Sequence, residues 1–463
     1  MLDLPVLDSS PSSDKKHLKL TEINYRRNTE SDYTERMEAL DRAFDYERDR
    51  HHVWGEPELS LLYGTPLYEQ ASESQKLALN HLYWATQYNQ TAATEANTVL
   101  YNQVTTGVFA AMGGYDTLCK ELDLETEQER HHIHAFHTIG YKTKKALLGQ
   151  AGFTATIASK NKPSQTRQRT SKGTAKTQPK YVASKGQESP LPDFQDKALR
   201  FATRQIFLKE QSLYYSQYLQ QLESKGEEIP AQTTGLVGQL GSRPLLKFFT
   251  LNCGSSPFLA SVFYVARFMA NMLLKNYEYR YFQCHRNLER QGEFIPAPVA
   301  VSYYHLLDES FHTTTSQTIA QDLYKDFAKP TAYERWVANL IIYQAQRVAL
   351  SGLSASLPGI FRSDDAFILP LYRLLQSPVF NFSPSESLHW LEQSLCQEHE
   401  GFQVNLKYHD RLLTNLQQMF TDIDYLWGVN REMRLMVKGG AIAPVLEQNR
   451  KALRQFAASV SLD

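Results

Sequence analysis

Cysteine is scarce and scattered in this chain of 463 residues: Cys119, Cys253, Cys284 and Cys396 form no CxxC pair. That argues against a disulfide framework and fits reduced thiols in a cytoplasmic protein. An excess of positive charge is also missing. Lys and Arg number 49 against 50 Asp and Glu, which argues against a dedicated nucleic-acid binder. The N-terminal stretch is polar and lacks the apolar core of a signal peptide. No clean membrane span is expected, because the most apolar run, 257–274, is interrupted by Arg267 and Asn271 and reads as a buried helix. The glycines of 235–241 lack phosphate-loop spacing and no Lys-Ser/Thr follows them. No repeat of solenoid period and no alternating strand pattern occurs, so the expected fold class is all-α.

What is present is enough apolar material for a large core: 42% hydrophobic and 12% aromatic residues. Residues 1–31 are expected as a flexible arm and 32–154 as the first half of a helical bundle. Residues 155–192 are rich in Lys, Gln, Thr, Ser and Pro, with too little apolar content to pack, and read as a disordered insertion. Residues 193–330 form the second half, and 331–463 add C-terminal helices packed on the bundle. Ser72 reads as the N-cap of a long helix on which Trp84, Tyr88, Glu95 and Val99 share a face. The next helix is predicted to begin by Thr126, with Glu125, Glu127 and Glu129 near its N-terminal turns, where the helix dipole favours them.

The chain is organised around 302–312, SYYHLLDESFH. At about 100° per residue, His305, Glu309 and His312 fall within an arc of roughly 60°. Two imidazoles and a carboxylate on one face flanked by Tyr, Leu and Phe need partners or a metal. Three Glu-x-x-His frames occur: Glu129/His132, Glu309/His312 and Glu386/His389. About one is expected by chance, so a single frame is a weak signal. Two frames have an upstream carboxylate at the interval of a helical hairpin: Glu95 lies 34 positions before Glu129, and Glu278 lies 31 before Glu309. Glu386 has no such partner and reads as helix-start charge. His131, His134 and His137 lack the i+3 relation to Glu129.

A Glu from one helix and Glu-x-x-His from the next, twice over, is the plan of dimetal carboxylate bundles. The carboxylates of Glu95, Glu129, Glu278 and Glu309 would neutralise a pair of divalent cations and make their burial tolerable. Hard oxygen donors with imidazole suit iron or manganese. Asp308, beside Glu309, is placed to accept a hydrogen bond from a ligating histidine across the bundle.

These residues resemble the p-aminobenzoate N-oxygenase (AurF-like) branch of ferritin-like di-iron proteins, which shows Glu, about thirty residues, then Asp-Glu-x-x-His, twice. That branch has an extra histidine one turn before the second Glu, where His305 stands here, and the segment Leu61–Tyr68 also looks familiar from it. The resemblance implies a ferritin-like bundle whose metal ligands are Glu95, Glu129, His132, Glu278, His305, Glu309 and His312. Gln128 departs from the pattern, taking the place of the first motif's Asp and making the matching hydrogen bond neutral. In size the chain is more similar to the cyanobacterial dimetal-carboxylate (CylC-like) halogenases, relatives that act on unactivated carbons of acyl chains.

The resemblance implies two Fe ions, or a mixed Mn/Fe pair, with O2 as oxidant and a halide if the reaction is halogenation. The favoured expectation is C–H functionalisation, in its sharpest form halogenation of a fatty acyl chain borne by an acyl carrier protein. One objection stands beside it: a halide needs an open coordination position, and all the candidate ligands are present. The alternatives are arylamine N-oxygenation or hydroxylation of a small-molecule or acyl substrate, with Arg267 or Arg280 as an anchor for a carboxylate, and a non-catalytic ferritin-like metal-binding protein. No reductase-type cofactor motif occurs, so a separate electron donor is expected.

Overall fold

A computed structural model describes residues 15–153, 191–231, 234–235, 238–239, 241–353 and 365–460. The expected insertion at 155–192 lies outside the described residues up to 190, and so does the start of the expected arm.

The first elements are α1 (Lys16–Glu30) and α2 (Tyr33–Ala43), followed by the short helices α3 (Tyr46–Asp49) and α4 (Pro66–Gln70). The first long hairpin is α5 (Glu73–Met112) with α6 (Asp116–Leu148). Two shorter helices, α7 (Leu191–Phe201) and α8 (Gln217–Ser224), and then α9 (Arg243–Cys253) lead to the second hairpin. That hairpin is α10 (Pro257–Gln291) with α11 (Ala297–Gln321). The C-terminal region contains α12 (Ala332–Ala345), α13 (Asp365–Gln376), α14 (Pro384–Cys396), α15 (Glu400–Thr421), α16 (Gly428–Arg431), α17 (Arg434–Gly439) and α18 (Ile442–Val460). The described residues include one extended pairing, Thr234–Gly235 against Gly238–Gln239. The fold is all-α, a ferritin-like helical bundle with extra C-terminal helices.

Local chemistry sets the hairpin ends. Ser72 accepts from the Gln75 backbone N–H while the Gln75 side chain accepts from the Ser72 N–H, a capping box that starts α5 where expected. The helix ends at Gly113, whose φ of +74° suits a residue without a Cβ. Ser256 caps α10, Pro257 opens it, and Gly292 ends it in the left-handed region.

Two expectations fail. Residues 16–30 are not a loose arm but helix α1. Its buried residues are Thr21, Asn24 and Asn28, so the stripe it presents to the bundle is polar, and hydrophobic periodicity does not reveal it. Helix α6 begins at Asp116, well before Thr126, so its acids are not near the N-terminal turns as expected. Leu118, Leu122, Glu125, Glu129, His132, Phe136 and Ile139 form one buried stripe at helical spacing, and Leu118 and Leu122 pack with Val108, Tyr115 and Tyr264. Glu125 and Glu129 therefore lie deep in the helix, away from its dipole end. Between α7 and α8 the chain runs through wide and then tight helical turns.

The two hairpins and the C-terminal helices share a core. Trp84, Tyr88, Phe136, Tyr281 and Val301 pack in one cluster with Leu371, Leu375, Leu391, Leu453 and Phe456. Trp84 Nε1 donates to Ser302 Oγ at 3.0 Å, tying α5 to α11 through the core. Among the described residues one helix, α10, is long and apolar enough to cross a membrane, but 78% of its most apolar window is buried inside the fold. It reads as the core helix expected from Arg267 and Asn271, which are both buried.

Candidate metal centre

Four helices supply the site. Glu95 comes from α5, Glu129 and His132 from α6, Glu278 from α10, and His305, Glu309 and His312 from α11. All seven are buried. Their donor atoms form two sets compact enough to hold an ion: Glu95, His132, His305 and Glu309, and Glu129, His132, Glu309 and His312. His132 and Glu309 belong to both. A carboxylate can bridge two cations and an imidazole nitrogen cannot, so Glu309 is the natural shared donor. Glu278 is in neither set; its Oε1 accepts from Tyr88 O–H at 2.9 Å and lies 2.5 Å from His305 Nδ1.

The face-to-face hairpins bring together acids distant in sequence. His305 Nε2 lies 3.0 Å from Glu95 Oε1 and 3.7 Å from Glu309 Oε1. His312 Nδ1 lies 2.8 Å from Glu309 Oε1 and 3.3 Å from Glu129 Oε1. His132 Nδ1 is 3.9 Å from both Glu129 and Glu309.

Outside this cage, Asp308 Oδ2 accepts from His132 Nε2 at 2.8 Å, the cross-bundle contact expected of Asp308. Gln128 Oε1 stands 3.0 Å from His312 Nε2, as the neutral counterpart. Each ring thereby turns Nδ1 toward the carboxylates, the arrangement by which an outer partner fixes a ligating histidine.

Electrostatics reflect the crowding of charge. Burial pushes the Glu95 carboxyl up to about 7, outweighing its hydrogen bond from His305. Burial opposes ionisation of Glu309 as well, yet His312, His305 and His132 together hold it well below the usual carboxylate range. Burial disfavours charged His305 and His312, but Glu278 and Glu95 beside the first and Glu309, Glu125 and Glu129 beside the second raise both well above the ordinary imidazole value.

The donor set fits a cation pair on a specific observation. Glu95 Oε2, Glu129 Oε2, Glu278 Oε2 and His132 Nδ1 are buried without a hydrogen-bond partner. Buried polar atoms of this kind are costly unless something binds them.

Sequence reasoning missed three buried charges beside the cage. Arg267 donates to Glu125 Oε2 at 2.5 Å and to Glu129 Oε1 at 3.0 Å, with all three side chains almost fully buried. Glu121, one turn before Glu125, accepts from Asn24 and Asn28 of α1 and from Thr315 of α11. The signal for Glu121 and Glu125 was the α6 stripe running upstream of Glu129. Arg267 is therefore engaged and is not a free anchor for a carboxylate. Arg280 is engaged too, paired with Glu56 and Glu58 and donating to Tyr408. His131 and His134 lie outside the cage as expected, the first paired with Glu38 and the second exposed beside Asp41, and His285 stacks on Tyr303 at 3.9 Å. Glu386 completes a capping box with Ser383.

A cavity of about 180 Å³ opens on this cage. Glu95, Glu129, Glu309 and Arg267 line one part, and Leu246, Phe249, Phe263, Met269, Ile341 and Leu350 line much of the rest. Its wall is drawn from α5, α6, α9, α10, α11 and α12 and the turn after α12. It exceeds the roughly 150 Å³ of a dry apolar cavity that admits benzene.

Fold and donor set together define a ferritin-like di-iron enzyme of the oxidoreductase class. Within that class, the family model described as "Acyl halogenase CylC-like" matches residues 16–457, and the chain belongs to this CylC-like family. No curated protein and no solved structure matches it.

Proposed function

We propose that this enzyme uses O2 to functionalise an unactivated C–H bond of a fatty acyl chain, with halogenation as the reaction and a carrier protein as the bearer of the chain. The observation that carries the reading is the cavity, which meets the cage at Glu95, Glu129 and Glu309 and is otherwise mainly apolar. An acyl chain gains from burial against such a wall by about 0.8 kcal/mol per CH2. An aminobenzoate would find no free cation for its carboxylate among the described lining residues, since Arg267 is paired with Glu125 and Glu129. This favours the acyl reading over arylamine N-oxygenation. The family description, which names an acyl halogenase, points the same way.

Glu95, Glu129, Glu278, Glu309, His132, His305 and His312 would hold the metal pair. When bound, that pair supplies the electrons for cleaving dioxygen. The chain's own part is positional. The cavity wall lays the alkyl chain against the cage, and the apolar lining excludes water from the reacting carbon. Asp308 and Gln128 hold His132 and His312 in fixed tautomers. Tyr88 and Phe136 close the side of His305 with aromatic rings 6.2 and 4.8 Å from it, and Trp84 packs behind them. Electrons arrive from a separate donor.

The test is incubation of the iron-loaded, reduced protein with O2, chloride and a carrier-bound acyl chain. A chlorinated acyl product detected by mass spectrometry is expected. A hydroxylated acyl product alone would keep the substrate class and reject halogenation. Oxidation of an aminobenzoate with no acyl chemistry would reject the reading.

A further inference from the structure

Helix α1 lies against α6 and α11, and the polar stripe it buries ends on the outer partners of the two histidines. Asn28 and Gln128 form a reciprocal amide pair: Gln128 Nε2 donates to Asn28 Oδ1 at 2.7 Å, and Asn28 Nδ2 donates to Gln128 Oε1 at 3.1 Å. The same Gln128 Oε1 receives His312 Nε2 at 3.0 Å, and the same Nε2 donates to Asp308 Oδ1 at 3.2 Å. Asp308 Oδ2 in turn accepts from His132 Nε2 at 2.8 Å and from Thr34 Oγ1 of α2 at 3.2 Å. Asn28, Gln128, Asp308, His132 and His312 are all buried.

This chain of contacts has one consistent polarity. A flipped Gln128 amide would turn its N–H2 toward the His312 N–H and its carbonyl toward the Asp308 carboxylate, so both contacts would become repulsive. Asn28 opposes that flip because its N–H2 also donates to Glu121 Oε1 at 3.3 Å, so its carbonyl and N–H2 are fixed and match only the Gln128 orientation observed. A lone glutamine between an imidazole and a carboxylate would still prefer this orientation, but only on those two contacts. Asn28 doubles the number of hydrogen bonds that enforce it.

We propose that Asn28 is a positioning residue of the metal centre. By fixing the Gln128 amide it keeps the His312 proton on Nε2 and its Nδ1 open to the carboxylate cage. His132 depends on it less, because Asp308 can only accept and Thr34 supports Asp308 independently. The two halves of the centre are therefore supported unequally, and the N-terminal helix acts on the His312 half. The inference rests on the dimetal reading of the cage.

The test is anaerobic ferrous titration of the full chain against a competing chelator, with Mössbauer spectra of the 57Fe-loaded protein. Asn28→Asp keeps the shape and loses the N–H2 donor; Asn28→Ala removes the amide altogether. Both are expected to weaken one iron by up to about 10-fold, the low end of the cost of losing an outer partner outright, because Gln128 itself remains, and to alter one of two ferrous doublets while the other keeps its wild-type parameters. A merely structural role would weaken both irons together with the fold. Two tightly bound, spectroscopically unchanged irons in both variants overturn the inference alone, and so does parallel loss of both. A wild-type protein that takes up no iron overturns the dimetal reading and the inference with it.

Discussion

Replacing Arg267 with Leu removes a guanidinium paired with two buried carboxylates, Glu125 and Glu129. Arg267 is 3% exposed, and Glu125 and Glu129 are 0% and 2% exposed. Burial disfavours its charge, but Glu125 and Glu129 hold it protonated far above neutral pH. In the metal-free protein the substitution strips Glu125 of its ion-pair partner and leaves Glu129 facing only the imidazoles of His312 and His132, at 3.3 and 3.9 Å. Removing one partner of a buried ion pair costs about 3–5 kcal/mol, a large share of the roughly 5–15 kcal/mol that holds a typical protein together. The assay is urea denaturation of the metal-free protein near pH 7, followed by circular dichroism. Arg267→Leu combined with Glu125→Leu should recover about 1–3 kcal/mol of the loss, since residues in direct contact couple by that order. Iron loading should also shrink the deficit, because cations at the cage would neutralise Glu129 but not Glu125. A single variant within about 1 kcal/mol of wild type would refute the reasoning, as would a double variant no more stable than the single.

Three further outcomes follow from the geometry. Asp308→Asn exchanges the carboxylate behind His132 for an amide and should weaken ferrous binding by about 10–100-fold in chelator competition; unchanged affinity would deny the cross-bundle contact any role. Glu121 is pushed up to about 7 by burial, with Glu125 adding to the shift, so it contributes stability below its unfolded pKa that is lost as pH rises toward 7. Glu121→Gln keeps an acceptor for Asn24, Asn28 and Thr315 without that titration, so its stability relative to wild type should climb between about pH 4.5 and 7; a flat difference in denaturation midpoints would contradict this. Ala349→Trp fills part of the cavity wall and should shorten the longest acyl chain accepted while iron content stays at the wild-type level, as read by product mass spectrometry and elemental analysis; an unchanged chain-length profile would place the substrate elsewhere.

The acids and histidines of the cage were legible because their chemistry is written in spacing. Glu-x-x-His puts two donors on one helix face, and intervals of 34 and 31 residues match helical hairpins. His305 was legible from its place one turn before Glu309, and Asp308 from its place beside it. The partners of these residues were not. Asn24 and Asn28 sit on a helix whose buried stripe is polar, so no apolar periodicity announced that the helix packs at all. Arg267 looked like a break in an apolar run, and only the approach of α10 to α6 shows it gripping Glu125 and Glu129.

The sequence by itself determined an all-α chain, the pair of metal-binding motifs and the residues that carry them, because a helix converts linear spacing directly into a shared face. Tertiary structure alone decided that Asn28 of the N-terminal helix braces Gln128, where the buried arginine is used, and that a largely apolar cavity opens on the cage. Those outcomes depend on how separate helices approach one another, and no interval along a single chain records that approach.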